Sequence, residues 1–573
     1  MTVHVVNVDD SRAGESLKHA MRHLLTVGVE AKDLTLSDDV RLLDPETRRV
    51  EQRFQHTPEP LLASWRAARQ LASMTEPGDV VVMSDHGGLG GVFALDQAAA
   101  DPTERRQLWT VAADSAFLGL RLVAKTHEGL PLPLDSQVDW EIVQYRWSQR
   151  VIASSPLAVT ELAGIGVEAE LIGEPAPAES DGGRPDPRHI WAPGPVSRRN
   201  QTGEVLRALT SLPAARITLS DEDTEDAIWT SSTWDALRHS REVLGGRVER
   251  RARPSERPTA IVLGDPYALP DPAVAVLRAE GIPVVVPRGS VASLIWPTAP
   301  TWDGADDLAQ VLAGAESDAS NPPAHPVTRW RSEIGAYRAS ERVREVSVAI
   351  PVFRDVRFLE ECVDSVLGQE LPPLEVLLVD DGSRSDEVDR VFADLTDRDR
   401  RVRTLHIEHR GVCAARNTAM EVMQGDTFLF VDSDDILLPT FLTRCAQVLD
   451  SHENIWAAAT WTEFFGAYEA IEAKPPFDER VGRRENPIIS TSALVDARVR
   501  EAGIRFAPDL AFLFCEDWHF WSQIVAAGGA LGLVPEALAK HRVHAGSGGY
   551  MRTELAHAIG RSRATEPLRR PRS

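Results

Sequence analysis

From residue 344 onward, short and almost wholly apolar runs alternate with segments of helical periodicity. Residues 346–352 (VSVAIPV), 375–379 (EVLLV), 403–407 and 427–431 (TFLFV) read as strands. Between them, 357–369 place Phe358, Leu359, Cys362, Val363, Val366 and Leu367 on one helical face, and 413–423 form a second helix. Apolar strands joined by helical crossovers belong in a doubly wound α/β sheet, because parallel neighbours need a crossover and both faces are then covered. The front of the chain repeats this alternation less regularly. Strands are expected at 3–8, 79–83, 149–154, 259–263 and 282–286, and a helix at 14–25.

Two breaks divide the alternation. Residues 316–343 carry Pro322, Pro323 and Pro326 among small polar residues, the composition of a linker. Residues 174–187 (EPAPAESDGGRPDP) form a second Pro-, Gly- and acid-rich break. The expected units are 1–180, 181–315, the linker 316–343, 344–550, and a basic flexible tail at 551–573. For 573 residues that is three α/β bodies. A formal charge of −24 repels phosphate backbones and argues against a nucleic-acid partner. The tail is the one basic stretch, with five arginines and one glutamate in its last thirteen residues. It reads as a solvated end, with peripheral contact to an anionic membrane face as the alternative. Cys362, Cys413, Cys445 and Cys515 show no C-x-x-C spacing, so neither a zinc knuckle nor a disulfide framework is expected, and a reducing cytoplasm fits. The opening MTVHVVNVDDS has no signal-peptide pattern, and no run of eighteen apolar residues predicts a membrane span.

Chemistry concentrates at the strand ends of the back unit. Asp380 and Asp381 follow EVLLV, while Asp432, Asp434 and Asp435 follow TFLFV. Ligands of open α/β sheets bind beyond the carboxyl ends of the strands. Five carboxylates gathered there repel one another unless a cation joins them, and all-oxygen donors suit Mg²⁺ or Mn²⁺. Taken singly, each aspartate could simply make a turn or cap a helix.

These residues carry a resemblance. VSVAIPVFRDVRFLEECVDSVLGQ, LEVLLVDDGSRSD, RGVCAARNTAM, FLFVDSDDILLP, CEDWHFWSQIVAAGG and HRVHAGS resemble, in order and spacing, six segments of the inverting glycosyltransferase family 2 with its GT-A fold. The resemblance spans 346–550 and implies roles. Asp381, with Asp380 beside it, would hydrogen-bond the nucleotide base in a pocket shaped by the backbone around Pro351 and Phe353. Arg416 would contact the diphosphate or ribose, and Asp432 the ribose or an outer-sphere water. Asp434 and His544 would ligate Mn²⁺ or Mg²⁺. Asp517, with Glu516 next to it, would be the general base at the acceptor hydroxyl. Trp518 and Trp461 are weaker acceptor-site candidates, because aromatic faces stack on sugars. The family often has Tyr where His541 stands and Asn where Arg354 stands. The implied partners are a nucleotide-sugar donor, with UDP-sugar expected, and a glycan, lipid-linked or other glycoconjugate acceptor.

Residues 1–315 resemble more faintly the two Rossmann-like halves of a GT-B glycosyltransferase. The donor segment of that fold carries two glutamates, whereas Val276 stands at the position of the second, before Gly281, and only Asp265 and Asp271 lie upstream. Arg198 and Arg199 are the candidate phosphate-binding pair. The front module is therefore expected to keep the fold without its donor chemistry. The alternatives are a bifunctional enzyme, a non-catalytic glycan-binding scaffold, and a nucleotidyltransferase. The last would need a Gly-rich phosphate loop where PVFRDVRF stands.

Overall fold

A computed structural model of the chain describes residues 2–7, 31–36, 49–54, 59–84, 88–112, 136–153, 156–171, 189–193, 201–212, 214–219, 244, 247–251, 258–265, 274, 278, 282–290, 292–293, 298–314, 343–488, 492–513, 515–544 and 562–569. They fall into two compact units. One comprises 1–37, 79–90 and 107–334; the other comprises 38–78, 91–106 and 335–573.

The first unit holds two six-stranded sheets. Strands β1 (Val3–Asn7), β2 (Ala31–Thr35), β3 (Val80–Ser84), β4 (Gln107–Ala112), β5 (Arg150–Ala153) and β6 (Glu170–Leu171) run parallel in the order β2-β1-β3-β4-β5-β6. The second sheet comprises β7 (His189–Ala192), β8 (Arg216–Leu219), β9 (Val248–Arg250), β10 (Ala260–Val262), β11 (Val284–Pro287) and β12 (Thr301–Trp302). It is also parallel, in the order β12-β11-β10-β7-β8-β9. Counted within that sheet, the order is that of the classic dinucleotide-binding fold, reversing between its first and fourth strands. Strands β3, β7, β10 and β11 are buried along their whole length, as parallel strands covered on both faces must be. The expected strands appear within a residue or two. The helix at 14–25, the break at 174–187, most of the linker, and Arg198, Arg199, Asp271, Val276 and Gly281 lie outside the described residues.

The second unit is built on a nine-stranded mixed sheet. Its strands are β13 (Val346–Val352), β14 (Glu375–Asp380), β15 (Val402–His406), β16 (Thr427–Phe430), β17 (Ile436–Leu437), β18 (Ile455–Gly466), β19 (Ala470–Glu472), β20 (Ala493–Asp496) and β21 (Ala530–Val543). The order is β15-β14-β13-β16-β20-β18-β21-β17, with β19 paired to β18. The first four strands are parallel, and β20 is antiparallel to both its neighbours. Helices Leu359–Leu367, Asp386–Arg398 and Val412–Val422 connect the parallel half. The core runs from Ala349, Val379 and Phe430 on the sheet to Trp518, Phe520 and Trp521 on helix Glu516–Ala526.

Two expectations are corrected here. Residues 38–78 and 91–106 group with the C-terminal unit, although the sequence reading placed them in the first α/β body. The reason is specific contact. Phe54 sits edge-on to Trp461 at 5.6 Å, Ile471 N–H donates to the Arg53 carbonyl at 2.8 Å, and Arg53 pairs with Glu463. Arg444 reaches the Ala99 carbonyl at 2.6 Å, Asp96 at 2.9 Å and Glu536 at 2.5 Å. The tail is corrected as well. Within 551–573, residues 562–569 are folded, and Ala564, Thr565 and Leu568 are buried in the same core cluster or beside it. Three small or apolar side chains among the arginines supply that burial.

Candidate functional site

The carboxyl ends of β13, β14 and β16 define one edge of the sheet, and the acidic pairs stand there. Asp380 ends β14; it accepts the Ser383 N–H at 2.9 Å and lies 3.3 Å from His406 Nδ1. Asp381 is buried and accepts from the backbone N–H groups of Arg410 and Gly411, both at 2.9 Å, and from His409 Nδ1 at 2.8 Å. This close approach of two loops requires glycine at 382. Its φ is 71°, and a Cβ there would stand 2.6 Å from the His409 backbone nitrogen. Phe353, just beyond β13, is 39% exposed and stacks on His409 at 4.1 Å. Pro351 and Phe353 thus lie beside the expected base-binding aspartates, since β13 pairs with β14 from Ser347 to Val352. The carboxylate of Asp381 is already engaged by the 409–411 loop.

The loop after β16 carries Asp432, Asp434 and Asp435. Asp434 Oδ2 lies 2.9 Å from His544 Nε2, one residue past the end of β21. Asp435 is buried, 3.0 Å from His541 Nδ1, and accepts the Arg542 N–H at 3.0 Å. Burial pushes the Asp435 carboxyl upward, against the pull of His541. Burial alone would lower His541, but the Asp435 hydrogen bond and charge outweigh it and raise the imidazole. The Cys362 thiol is also driven upward, first by burial and then by the charges of Asp435, Asp434 and Asp432. These three carboxylates therefore act on one small volume. Arg542 secures the loop: its Nε donates to the Asp434 carbonyl at 2.9 Å, and its guanidinium lies 4.1 Å from the Phe358 ring and 4.4 Å from the Phe465 ring.

Arg416 is buried rather than open to a ligand. It donates from Nη2 to Asp432 at 2.8 Å and from Nη1 to Glu516 at 3.1 Å. One guanidinium therefore ties the loop after β16 to the start of helix Glu516–Ala526. Next along that helix, Asp517 Oδ2 accepts from Asn486 Nδ2 at 3.0 Å, and its Oδ1 accepts the Trp518 N–H at 2.7 Å. Asp517 is half-buried in the first turn of that helix.

Trp518 and Trp461 do not present ring faces for a sugar. They are 2% and 3% exposed, and each indole N–H is spent on a carbonyl, Gly482 at 2.8 Å and Lys474 at 3.1 Å. Both rings pack in the core of the second unit. Sequence reasoning missed His409, Asn486 and Arg542. Asn486 has no local signal, since it meets Asp517 from thirty-one positions away. Arg542 lay inside the quoted HRVH run and could have been singled out.

Asp434 and His544 offer one carboxylate oxygen and one imidazole nitrogen. Their 2.9 Å separation is a direct hydrogen bond, and a carboxylate and an imidazole are donor types that a divalent ion such as Mn²⁺ could take. Among the described residues no group of three or more His, Cys, Asp or Glu is placed to hold a metal, so a pair is what they offer.

Residues 347–498 match the family described as Glycosyl transferase family 2. An uncharacterized glycosyltransferase EpsJ of Bacillus subtilis is 33% identical over 108 residues, 19% of this chain and 31% of that protein. An uncharacterized glycosyltransferase of Haemophilus influenzae is 25% identical over 215 residues, 35% of this chain and 65% of that protein. The chain thus spans less than two thirds of either relative. Among solved structures, S. aureus TarS 1–349 in complex with UDP-GlcNAc is similar at 20% identity and a TM-score of 0.31, covering 35% of this chain and 60% of that one. Residues 347–498 are thus the part of the chain that matches the glycosyl transferase family 2 model, and relatives that it resembles are named glycosyltransferases.

Proposed function

We propose that the chain transfers a glycosyl group from a nucleotide-diphosphate donor to an acceptor hydroxyl, with inversion, at the strand ends of its second unit. The observation that carries this reading is the joining of both halves of such a site. Asp434 faces His544 at 2.9 Å, and Arg416 links Asp432 to Glu516, the neighbour of Asp517. Asp434 and His544 would hold Mn²⁺ or Mg²⁺. When bound, such an ion supplies electrostatic stabilisation of the diphosphate as it leaves. Phe353 and His409 form an exposed aromatic ledge suited to a nucleobase, with Asp380 and Asp381 fixing the turns behind it and Pro351 on the adjoining strand. Asp432 takes the ribose side. Asp517 accepts the proton of the acceptor hydroxyl as the new bond forms, so the hydroxyl attacks without first having to ionise. Arg416 holds the two sides in register from below, rather than touching the donor.

A UDP-sugar donor rests on the family likeness, as does a glycan, lipid-linked or other glycoconjugate acceptor of the cell surface. Among the described residues no helix is long and apolar enough to cross a membrane. A cytoplasmic site of action, with or without peripheral membrane contact, belongs to the same proposal. For the first unit we propose a GT-B-like pair of Rossmann-like halves without donor chemistry; the strand order of its second sheet supports the fold part of that reading.

The test is nucleotide release from a panel of sugar nucleotides with Mn²⁺, Mg²⁺ or chelator. One donor should be turned over in a metal-dependent way, and Asp434→Ala should lose that turnover. Release that is unaffected by chelator and by Asp434→Ala would remove the metal from the reading.

A further inference from the structure

The C-terminal stretch looks in sequence like a solvated basic end, yet its described part is built into the wall beside Asp517. Leu568 and Ala564 are 5% and 0% exposed and belong to the core cluster that includes Phe477 and Trp518. Residues Pro567–Arg569 form a 3₁₀ turn. Arg563 pairs with Asp509, and Arg483 Nη2 donates to the Leu568 carbonyl at 2.6 Å.

The surface that this stretch covers is the segment 477–486. Helix Glu479–Gly482 is capped by Asp478, whose side chain accepts the Val481 N–H at 2.7 Å. Gly482 lets the layers close up: a Cβ there would meet the Phe477 ring at 2.5 Å and Leu568 Cδ1 at 3.3 Å. The Gly482 carbonyl then accepts from Trp518 Nε1 at 2.8 Å. Four residues on, Asn486 Nδ2 donates to Asp517 Oδ2 at 3.0 Å. A continuous set of contacts therefore runs from Leu568 through Gly482 and Arg483 to Asn486 and Asp517.

A four-residue helix has little stability of its own, because nucleating a helix costs more than one turn returns. Its position, and that of Asn486, depends on what packs over it. We propose that residues 562–569 are a positioning element of the transferase site: they hold the 479–486 segment so that Asn486 fixes the carboxylate of Asp517. This rests on the reading of Asp517 as the base. The element touches neither donor nor acceptor, and the aspartates of the donor side are held by other contacts, so its loss should act on turnover and not on nucleotide binding. An approach error of about 1 Å at a catalytic group can cost on the order of a hundredfold in rate.

The experiment uses the full chain and a sugar nucleotide that the wild type turns over. Leu568→Ala and Arg483→Ala weaken the element at its apolar and polar anchors. Asn486→Ala breaks the last contact directly, without touching the packing of the tail. Each is measured for turnover and, by calorimetry, for binding of the nucleoside diphosphate alone. The expected result is a fall of roughly tenfold to a hundredfold in kcat for Leu568→Ala and Asn486→Ala, with a smaller fall for Arg483→Ala. Nucleoside diphosphate affinity should stay within about twofold, and Leu568→Met, which refills the same space, should recover kcat. The proposal is overturned if Leu568→Ala and Asn486→Ala keep wild-type kcat, or if affinity falls in step with kcat. Asp517→Asn separates the two levels. If it loses turnover while Leu568→Ala does not, the positioning inference alone fails. If Asp517→Asn itself keeps turnover, the reading of the base has failed.

Discussion

Replacing Arg416 by Met tests the strut between the donor and acceptor sides. Methionine fills much of the same volume and removes the charge. Two charge-assisted bonds are lost, at 2.8 Å to Asp432 and 3.1 Å to Glu516. The loss is unequal. The Asp432 side chain is 30% exposed and can turn to water, whereas that of Glu516 is 14% exposed and would be left as an unpaired, mostly buried carboxylate. Charged hydrogen bonds contribute about 1.5–3 kcal/mol each, and breaking a buried pair from one side costs about 3–5 kcal/mol. We expect a destabilisation near the lower end, about 3 kcal/mol, because Asp432 is partly hydrated. For a unit of this size that lowers the unfolding midpoint by roughly 6–12 °C. The assay is thermal and urea unfolding followed by tryptophan emission, since Trp461, Trp518 and Trp521 all lie in this unit's core. Adding Glu516→Gln should recover part of the loss, because the uncompensated charge disappears. Arg416→Lys should fall between, since one ammonium cannot reach both carboxylates as a fork does. If Arg416→Met stays within about 1 kcal/mol of the wild type, or if Glu516→Gln deepens the loss, the strut is not what holds these segments together.

Gly382→Ala should destabilise the second unit by about 1–3 kcal/mol and weaken nucleoside diphosphate binding, because φ 71° and the 2.6 Å approach to His409 leave no room for a Cβ; unfolding and titration calorimetry check both effects. Trp518→Phe loses the bond to the Gly482 carbonyl and leaves part of the buried indole volume empty, so stability should drop by about 2–4 kcal/mol with the acceptor KM unchanged. A raised acceptor KM with unchanged stability would return Trp518 to the acceptor site. All four cysteines are buried, and burial first, then Glu516, pushes the Cys413 thiol up to about 12. The native protein should therefore resist thiol reagents near pH 8 and react fully after denaturation, as counted by mass spectrometry.

The parallel half of the second unit was the most legible part of the chain. Strand β13 appears with the bounds read from its apolar run, and β14 and β16 start where expected and end within a residue of their expected ends. Local periodicity and turn residues suffice there, because each strand is buried on both faces. Asp434 and His544, which two recognisable motifs name as a ligand pair, lie in contact although 110 positions separate them, while their role as ligands is a proposal. Other contacts carry no local trace. The bridge from Phe54 to Ile471 spans more than four hundred residues, and nothing in 49–106 distinguishes a segment that packs on the second unit from one that does not. Trp461 and Trp518 were misjudged because an aromatic on a helix or strand reads alike whether it faces a ligand or the core. The tail was misjudged because its arginines dominate its composition, while its burial depends on Ala564 and Leu568. Strand β21 was not legible, since it mixes Pro535, Glu536, Lys540, His541 and Arg542 into its run.

The account stands most directly on Asp517 as the group that takes the acceptor proton. The decisive measurement is kcat for glycosyl transfer by Asp517→Asn, a nearly isosteric change, in protein whose unfolding midpoint and nucleoside diphosphate affinity match the wild type. Loss of a positioned general base predicts a fall on the order of 10²–10⁴-fold. A variant that is folded, binds nucleotide and transfers at the wild-type rate would contradict the account.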